Sequence, residues 1–218
     1  IISIIIIVPV LSISQMDISR LKPILNNGVA PLLKGTFSSF SFPFGQTIIF
    51  TMVFSNISKA KNYKKVFIVS LLVSGGLILL TTLRNILVLG SEGMSRVYFP
   101  STMAVSLISI GELQRLEVTV IIVFLVGVFI KTSICIFAVC NGISKVFGFN
   151  DYKFIATPVT LLMLNFSFFI YSSTIEMSFF ISNIWQYYSF IFQVIIPLII
   201  FIVAEIRSKN SPDTSVPN

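Results

Sequence analysis

Few residues in this 218-residue chain can do chemistry. There is no histidine, which removes imidazole acid–base catalysis and histidine metal ligation from within the chain. Cys135 and Cys140 are the only cysteines; five residues apart on a helix they point to different faces, so neither a disulfide nor a metal site follows. What remains is a helix-breaking patch, Ser38 to Thr47, and one isolated lysine. Pro43 has no amide proton and its ring collides with the Ser39 carbonyl, so a continuous helix loses a backbone bond there. The proline pushes Phe42 towards an extended conformation and Gly45 permits positive φ, which together predict unwound backbone around 42–46. Broken backbone in hydrocarbon persists only where protein or a watery cavity satisfies the freed groups. Ser41, Phe42, Pro43, Phe44, Gly45 and Gln46 are therefore candidate substrate-binding residues, against the competing reading of a kink that serves packing alone. A helix resuming near Gly45 would aim its positive N-terminus into the opening, a seat for a carboxylate such as that of an amino acid. Phe37, Phe40, Phe42 and Phe44 would wall that seat or simply pack.

Lys131 is the second candidate. It follows Arg115 by 16 residues, which at about 1.5 Å per residue places it near or just beyond the middle of a membrane. An ammonium there needs a partner or water, so Lys131 either faces a binding cavity, snorkels, or makes a structural pair. Arg84, Glu92, Arg96, Glu112, Arg115 and Glu117 are expected to form a solvated ion-pair network over one face. Asn165, Gln186 and Gln193, single polar residues in apolar surroundings, are expected to make interhelical hydrogen bonds. No catalytic residue, metal or cofactor is expected.

The elements that hold these residues are membrane helices. Hydrophobic residues make up 55% of the chain and charged ones 11%, with a mean hydropathy of +0.97; this is the composition of an integral membrane protein. The net charge of +7 sits mostly in short loops, where lysines set topology, so nucleic acid is not implied. Spans are predicted near 1–11, 36–57, 66–89, 113–146, 154–171 and 185–205, in a single transmembrane domain over 1–209 with a disordered cytoplasmic tail at 210–218. Lys59, Lys61, Lys64 and Lys65 mark the cytoplasmic side. Gly75 and Gly76 are expected to allow a close helix contact. Residues 90–111 read as an external cap, and Trp185, Tyr187 and Tyr188 as an aromatic belt. The chain begins within an apolar run that has no basic flank and no small-residue cleavage site, which resembles the end of a cut transmembrane helix and suggests an N-terminally incomplete protein.

Ser41-Phe42-Pro43-Phe44-Gly45, Arg84-Asn85 to Gly90, Tyr98-Phe99-Pro100 and Leu113-Gln114-Arg115-Leu116-Glu117 occur in that order. On these residues the chain, up to about Lys209, resembles the spore germination permease family. These are the B-type membrane subunits of nutrient germinant receptors, a branch of the amino acid–polyamine–organocation transporter superfamily. The resemblance implies an all-α integral membrane fold, the C-terminal part of a five-plus-five inverted repeat, whose discontinuous helix contributes Ser41 to Gln46 to a germinant pocket. It also implies a small nutrient, an amino acid, as ligand, with other receptor subunits and the lipid bilayer as partners and the inner membrane of the spore as location. A secondary amino acid permease, proton- or ion-coupled, is the alternative. Gln46 departs from the family, whose members often carry an acidic residue there.

Overall fold

The computed structural model describes residues 2–22, 28–54, 62–108 and 116–210. Every regular element among them is helical. In chain order the α-helices are α1 (Ile2–Leu11), α2 (Ala30–Ser41), α3 (Phe50–Phe54), α4 (Tyr63–Ser95), α5 (Pro100–Ser106), α6 (Leu116–Phe147), α7 (Lys153–Phe169), α8 (Thr174–Asn183), α9 (Trp185–Phe190) and α10 (Ile196–Asn210). Phe44–Ile49 forms a 3₁₀ stretch before α3, and Ile191–Ile195 a π-turn between α9 and α10. Lys59, Lys61, Glu112, Leu113, Gln114, Arg115 and the tail beyond Asn210 lie outside the described residues.

Four stretches are long and apolar enough to cross a membrane: Ala30–Phe54, Tyr63–Ser95, Leu116–Phe147 and Trp185–Arg207. The expected span at 154–171 is α7, 17 residues long, which joins α8 through a bend of 98°. Side-chain burial agrees with a lipid surround. The buried set includes Ser12, Ser41, Arg84, Asn85, Asn141, Ser144, Gln186 and Ser189, while Leu72, Leu79, Phe129, Phe168, Phe169 and Phe201 are exposed. In water such an apolar surface is untenable; facing hydrocarbon it is what the composition requires.

The chain divides into two compact units, Ile1–Asn26 with Asn56–Cys135, and Asn27–Ser55 with Ile136–Asn218. In the first, Val8, Val105 and Ile108 form a core on which Leu11, Leu116 and Val120 pack. The hydroxyl of Ser12 donates to the Val8 carbonyl at 2.8 Å and closes α1. Hydrogen bonds from the Ser19 side chain and amide hold the Asp17 carboxyl below its usual range. The Asp17 amide donates to the Leu87 carbonyl at 3.0 Å, one turn before α4 kinks at Gly90, whose φ of 73° and ψ of 166° lie outside the range of other residues. In the second unit Cys140, Ile155 and Val159 form the core, with Ile136, Ile143, Tyr152 and Ala156 against it. Ser173 caps α8 by accepting from the Glu176 amide at 3.2 Å, and Glu176 accepts in return from the Ser172 amide at 2.9 Å.

Two expectations are corrected. The helix that leads into the interruption starts at Ala30, ahead of the span expected near 36–57, because Pro31 sits in its first turn, where a missing amide costs nothing. A methyl group on Gly76 would meet nothing within 4 Å, so among the described residues no close helix contact forms at this glycine. Arg84 is 3% exposed, and its Nε and Nη1 have no hydrogen-bond partner among the described residues. It is thus no part of a solvated network: Arg84 and Val88, one turn apart, share the inward face of α4, which packs on α1 and α5. Of the expected network, Arg96 and Glu92 pair within one turn.

The two glycines separate conformation from space. Gly90→Ala should destabilise the protein by roughly 1–3 kcal/mol, since only the backbone angle is at fault: the nearest atom to an added Cβ is Arg20 Cδ at 4.0 Å. Gly76→Ala, in open helix, should stabilise by up to about 1 kcal/mol. Thermal unfolding of the protein in detergent reads both signs.

Candidate functional site

The α-helix that starts at Ala30 stops at Ser41. Phe42 donates its amide to the Ser38 carbonyl at 3.0 Å and is itself extended, with φ −141° and ψ 118°. A cis peptide bond joins it to Pro43. The chain then turns into the 3₁₀ stretch at Phe44 and regains α geometry only at Phe50. Carbonyls of this tighter stretch are met by local hydroxyls: Thr47 Oγ1 donates to Phe44 O and Thr51 Oγ1 to Ile48 O, both at 2.7 Å. The helix N-terminus expected near Gly45 is therefore not formed there, because one 3₁₀ stretch occupies the position. Nor does Gly45 adopt positive φ; Gly28, Gly90 and Gly148 do.

Gly45 is required for a different reason. A Cβ at this position would overlap Gln193 Oε1 and lie 3.2 Å from the Phe40 carbonyl. Gln193 stands in the π-turn and donates from Nε2 to the Ser41 carbonyl at 3.2 Å. Ser41, 1% exposed, shares a hydroxyl–hydroxyl hydrogen bond of 2.5 Å with Ser189 of α9. Beside this seam the Phe37 ring lies 5.7 Å from Tyr187 and 5.5 Å from Phe190, centroid to centroid. Phe37 thus packs on α9, and the belt expected at Trp185, Tyr187 and Tyr188 is partly packing: Trp185 lies 6.3 Å from Tyr188, and Tyr188 5.2 Å from Phe192.

The sequence-predicted residues fare differently. Ser41 is buried at the seam, Pro43, Phe44, Gly45 and Gln46 are half-buried, and Phe42 is 49% exposed. Lys131 belongs to the first compact unit, on an exposed face of α6, whereas Ser41 to Gln46 belong to the second. Of the three polar span residues, Gln193 makes the expected interhelical bond. Asn165 does not: its Nδ2 donates to Leu161 O at 2.9 Å inside its own helix, because both lie on one exposed face of α7. Gln186 is buried, with neither amide atom partnered among the described residues. Ser189 escapes sequence reasoning by itself; the signal is the spacing Gln186, Ser189, Gln193, three polar residues on one helical face of an apolar stretch.

A sequence model of the family described as "Spore germination protein" matches residues 1–178. The chain is similar to "Spore germination protein KB" of Bacillus subtilis (strain 168), 31% identical over 198 residues that make up 89% of this chain and 53% of that protein. It spans about half the length of the curated relative it matches. No solved structure matches.

The Gly45 and Gln193 contact is checked by a double-mutant cycle in detergent. Gly45→Ala must displace the Gln193 carboxamide and release Ser41 O, and Gln193→Ala releases it directly; each should cost about 1–3 kcal/mol. The pair should cost less than the sum of the two by at least about 0.5 kcal/mol, since without Gln193 the new methyl meets chiefly Phe40 O.

Proposed function

Because the chain belongs to the spore germination protein family, we propose that this multi-pass membrane protein is a subunit of a spore nutrient receptor and senses an amino acid at the interruption between Ser41 and Gln46. The observation that carries this reading is the hold of Gln193 Nε2 on the Ser41 carbonyl. A helix that unwinds in an apolar segment, with its freed backbone met by a side chain from another helix, is the arrangement by which membrane proteins open a site for a small guest. Phe42 and Phe44 flank the interruption as apolar surface for a side chain. Lys131 is the charged residue we assign to the response, through its unusual place within a long apolar helix.

In this reading the chain is the C-terminal part of a five-plus-five inverted repeat in the spore's inner membrane. The nutrient biases it between two conformations, and other receptor subunits read the bias. A secondary permease would use the same opening to move its substrate, and the two functions part at uptake.

The test uses spores whose nutrient receptor carries the complete gene product. Phe42→Ala removes a half-exposed ring beside the interruption, and should raise the nutrient concentration for half-maximal germination about tenfold, equivalent to roughly 1.4 kcal/mol of binding, at unchanged membrane levels. Lys131→Met should change the response or its pH dependence, with membrane levels unchanged. Membrane vesicles holding the protein should bind labelled amino acid without accumulating it. Unaltered dose responses in both variants would remove the site, and accumulation would make the protein a transporter.

A further inference from the structure

Arg84 is a charge enclosed by the first compact unit with nothing among the described residues to balance it. It is 3% exposed, and its Nε and Nη1 have no hydrogen-bond partner there. It stands on the inward face of α4, which packs on α1 and α5. A buried arginine stays charged, because its guanidinium does not give up a proton at any ordinary pH. Enclosing that charge is costly unless an anion meets it.

The acids described in the same unit are Asp17, Glu92 and Glu117, and none lies within 4.0 Å of the guanidinium. Asp17 is held near by its backbone, since its amide donates to the carbonyl of Leu87, one turn beyond Arg84, at 3.0 Å. Its carboxyl turns elsewhere: Oδ1 accepts from the Ser19 amide at 2.9 Å, and Oδ2 lies 3.9 Å from Arg20 Nε. Glu92 pairs with Arg96 on the exposed surface. Asn85 gives its Nδ2 to Ser101 Oγ at 3.0 Å and leaves its Oδ1 buried and unpartnered, but a neutral amide could not offset the charge beside it in any case.

The group that fits is a carboxylate, whose two oxygens match the planar fork of a guanidinium. A transient guest would leave Arg84 unbalanced whenever it departed, and the buried core of this unit, Val8, Val105 and Ile108, is small. A resident side chain balances it at all times. There is chain to supply one: 89% of these residues correspond to only 53% of the Bacillus subtilis relative.

We infer that Arg84 is a docking point between membrane helices, and that in the complete gene product it pairs with an Asp or Glu on a helix outside the residues of this chain. The pair would fasten α4 to that helix from its inward face.

The complete protein in detergent provides the test. Arg84→Met keeps much of the volume and removes the charge; it should lower the midpoint of thermal unfolding by about 5–10 °C, because the partner carboxylate is left buried alone. One Asp→Asn or Glu→Gln substitution in the helices outside this chain should lower the midpoint by itself and restore it in the Arg84→Met background. If Arg84→Met fails to accumulate in membranes, the same scan is read as restored accumulation. An unchanged or raised midpoint in Arg84→Met means that the charge has no partner and overturns the inference. A lowered midpoint that no acid substitution restores makes Arg84 a packing residue, and restoration by Glu112→Gln puts the partner within this chain; either result overturns it too. Sodium acetate in place of sodium chloride should leave the wild-type midpoint where it is. A rise in the wild type that is absent in Arg84→Met would make this a site for a free carboxylate instead of a resident one.

Discussion

A peptide carbonyl that loses its helical donor inside an apolar segment must find another, and at Ser41 it finds the carboxamide of Gln193. Much of the second unit's local structure follows from that need. Pro43 cannot donate, so α2 stops. Tight 3₁₀ geometry after it leaves carbonyls that Thr47 and Thr51 meet from their own turns. The carboxamide has to reach across from another helix, and it lies where a side chain on residue 45 would stand, which is why that residue is glycine. Ser189 then locks the last turn of α2 to α9 by a bond between two small hydroxyls.

Lipid supplies little drive to bring helices together, since hydrocarbon is as apolar as leucine. The buried residues of this protein reflect it. Its tightest contacts involve serine, asparagine and glutamine as often as valine and isoleucine, and the large aliphatic and aromatic side chains face outward. Arg84 is the extreme case: a guanidinium on the inward face of α4, next to Asn85, which donates to Ser101 at 3.0 Å. Removing such polar groups from water is costly, and in a membrane protein the residues that bear them are the ones to examine for function.

Composition and punctuation make the broad organisation legible. Apolar runs identify the long helices, and Pro43 marks the end of α2 to within two residues. What cannot be read is pairing across the chain. Gln193 and Ser41 are 152 residues apart, and Ser189 and Ser41 148; no local pattern says that they meet. The role of Gly45 is hidden for the same reason, since a local rule offers positive φ while the cause is a neighbour from a distant helix. Pro31 suggests a turn because proline is ambiguous between a loop and a first helical turn, and only the amides around it decide. Arg84 looks like a surface charge because its neighbours in sequence, Glu92 and Arg96, form an exposed pair.

In the two-state reading proposed above, the neutrality of the seam has an energetic meaning. A net hydrogen bond between uncharged groups contributes about 0.5–1.5 kcal/mol, so parting Ser41 from both Ser189 and Gln193 costs on the order of a few kcal/mol. A ligand bound with micromolar affinity has about 8 kcal/mol to distribute, and a modest difference in its fit to the two states is enough to shift them. A buried ion pair in the same place would cost roughly 3–5 kcal/mol to disrupt from one side and would hold a single state. Gln46 keeps this part of the chain on the uncharged side of that choice. In that reading the hydrogen bonds at Ser41 are strong enough to hold the interrupted helix and weak enough for binding to rearrange.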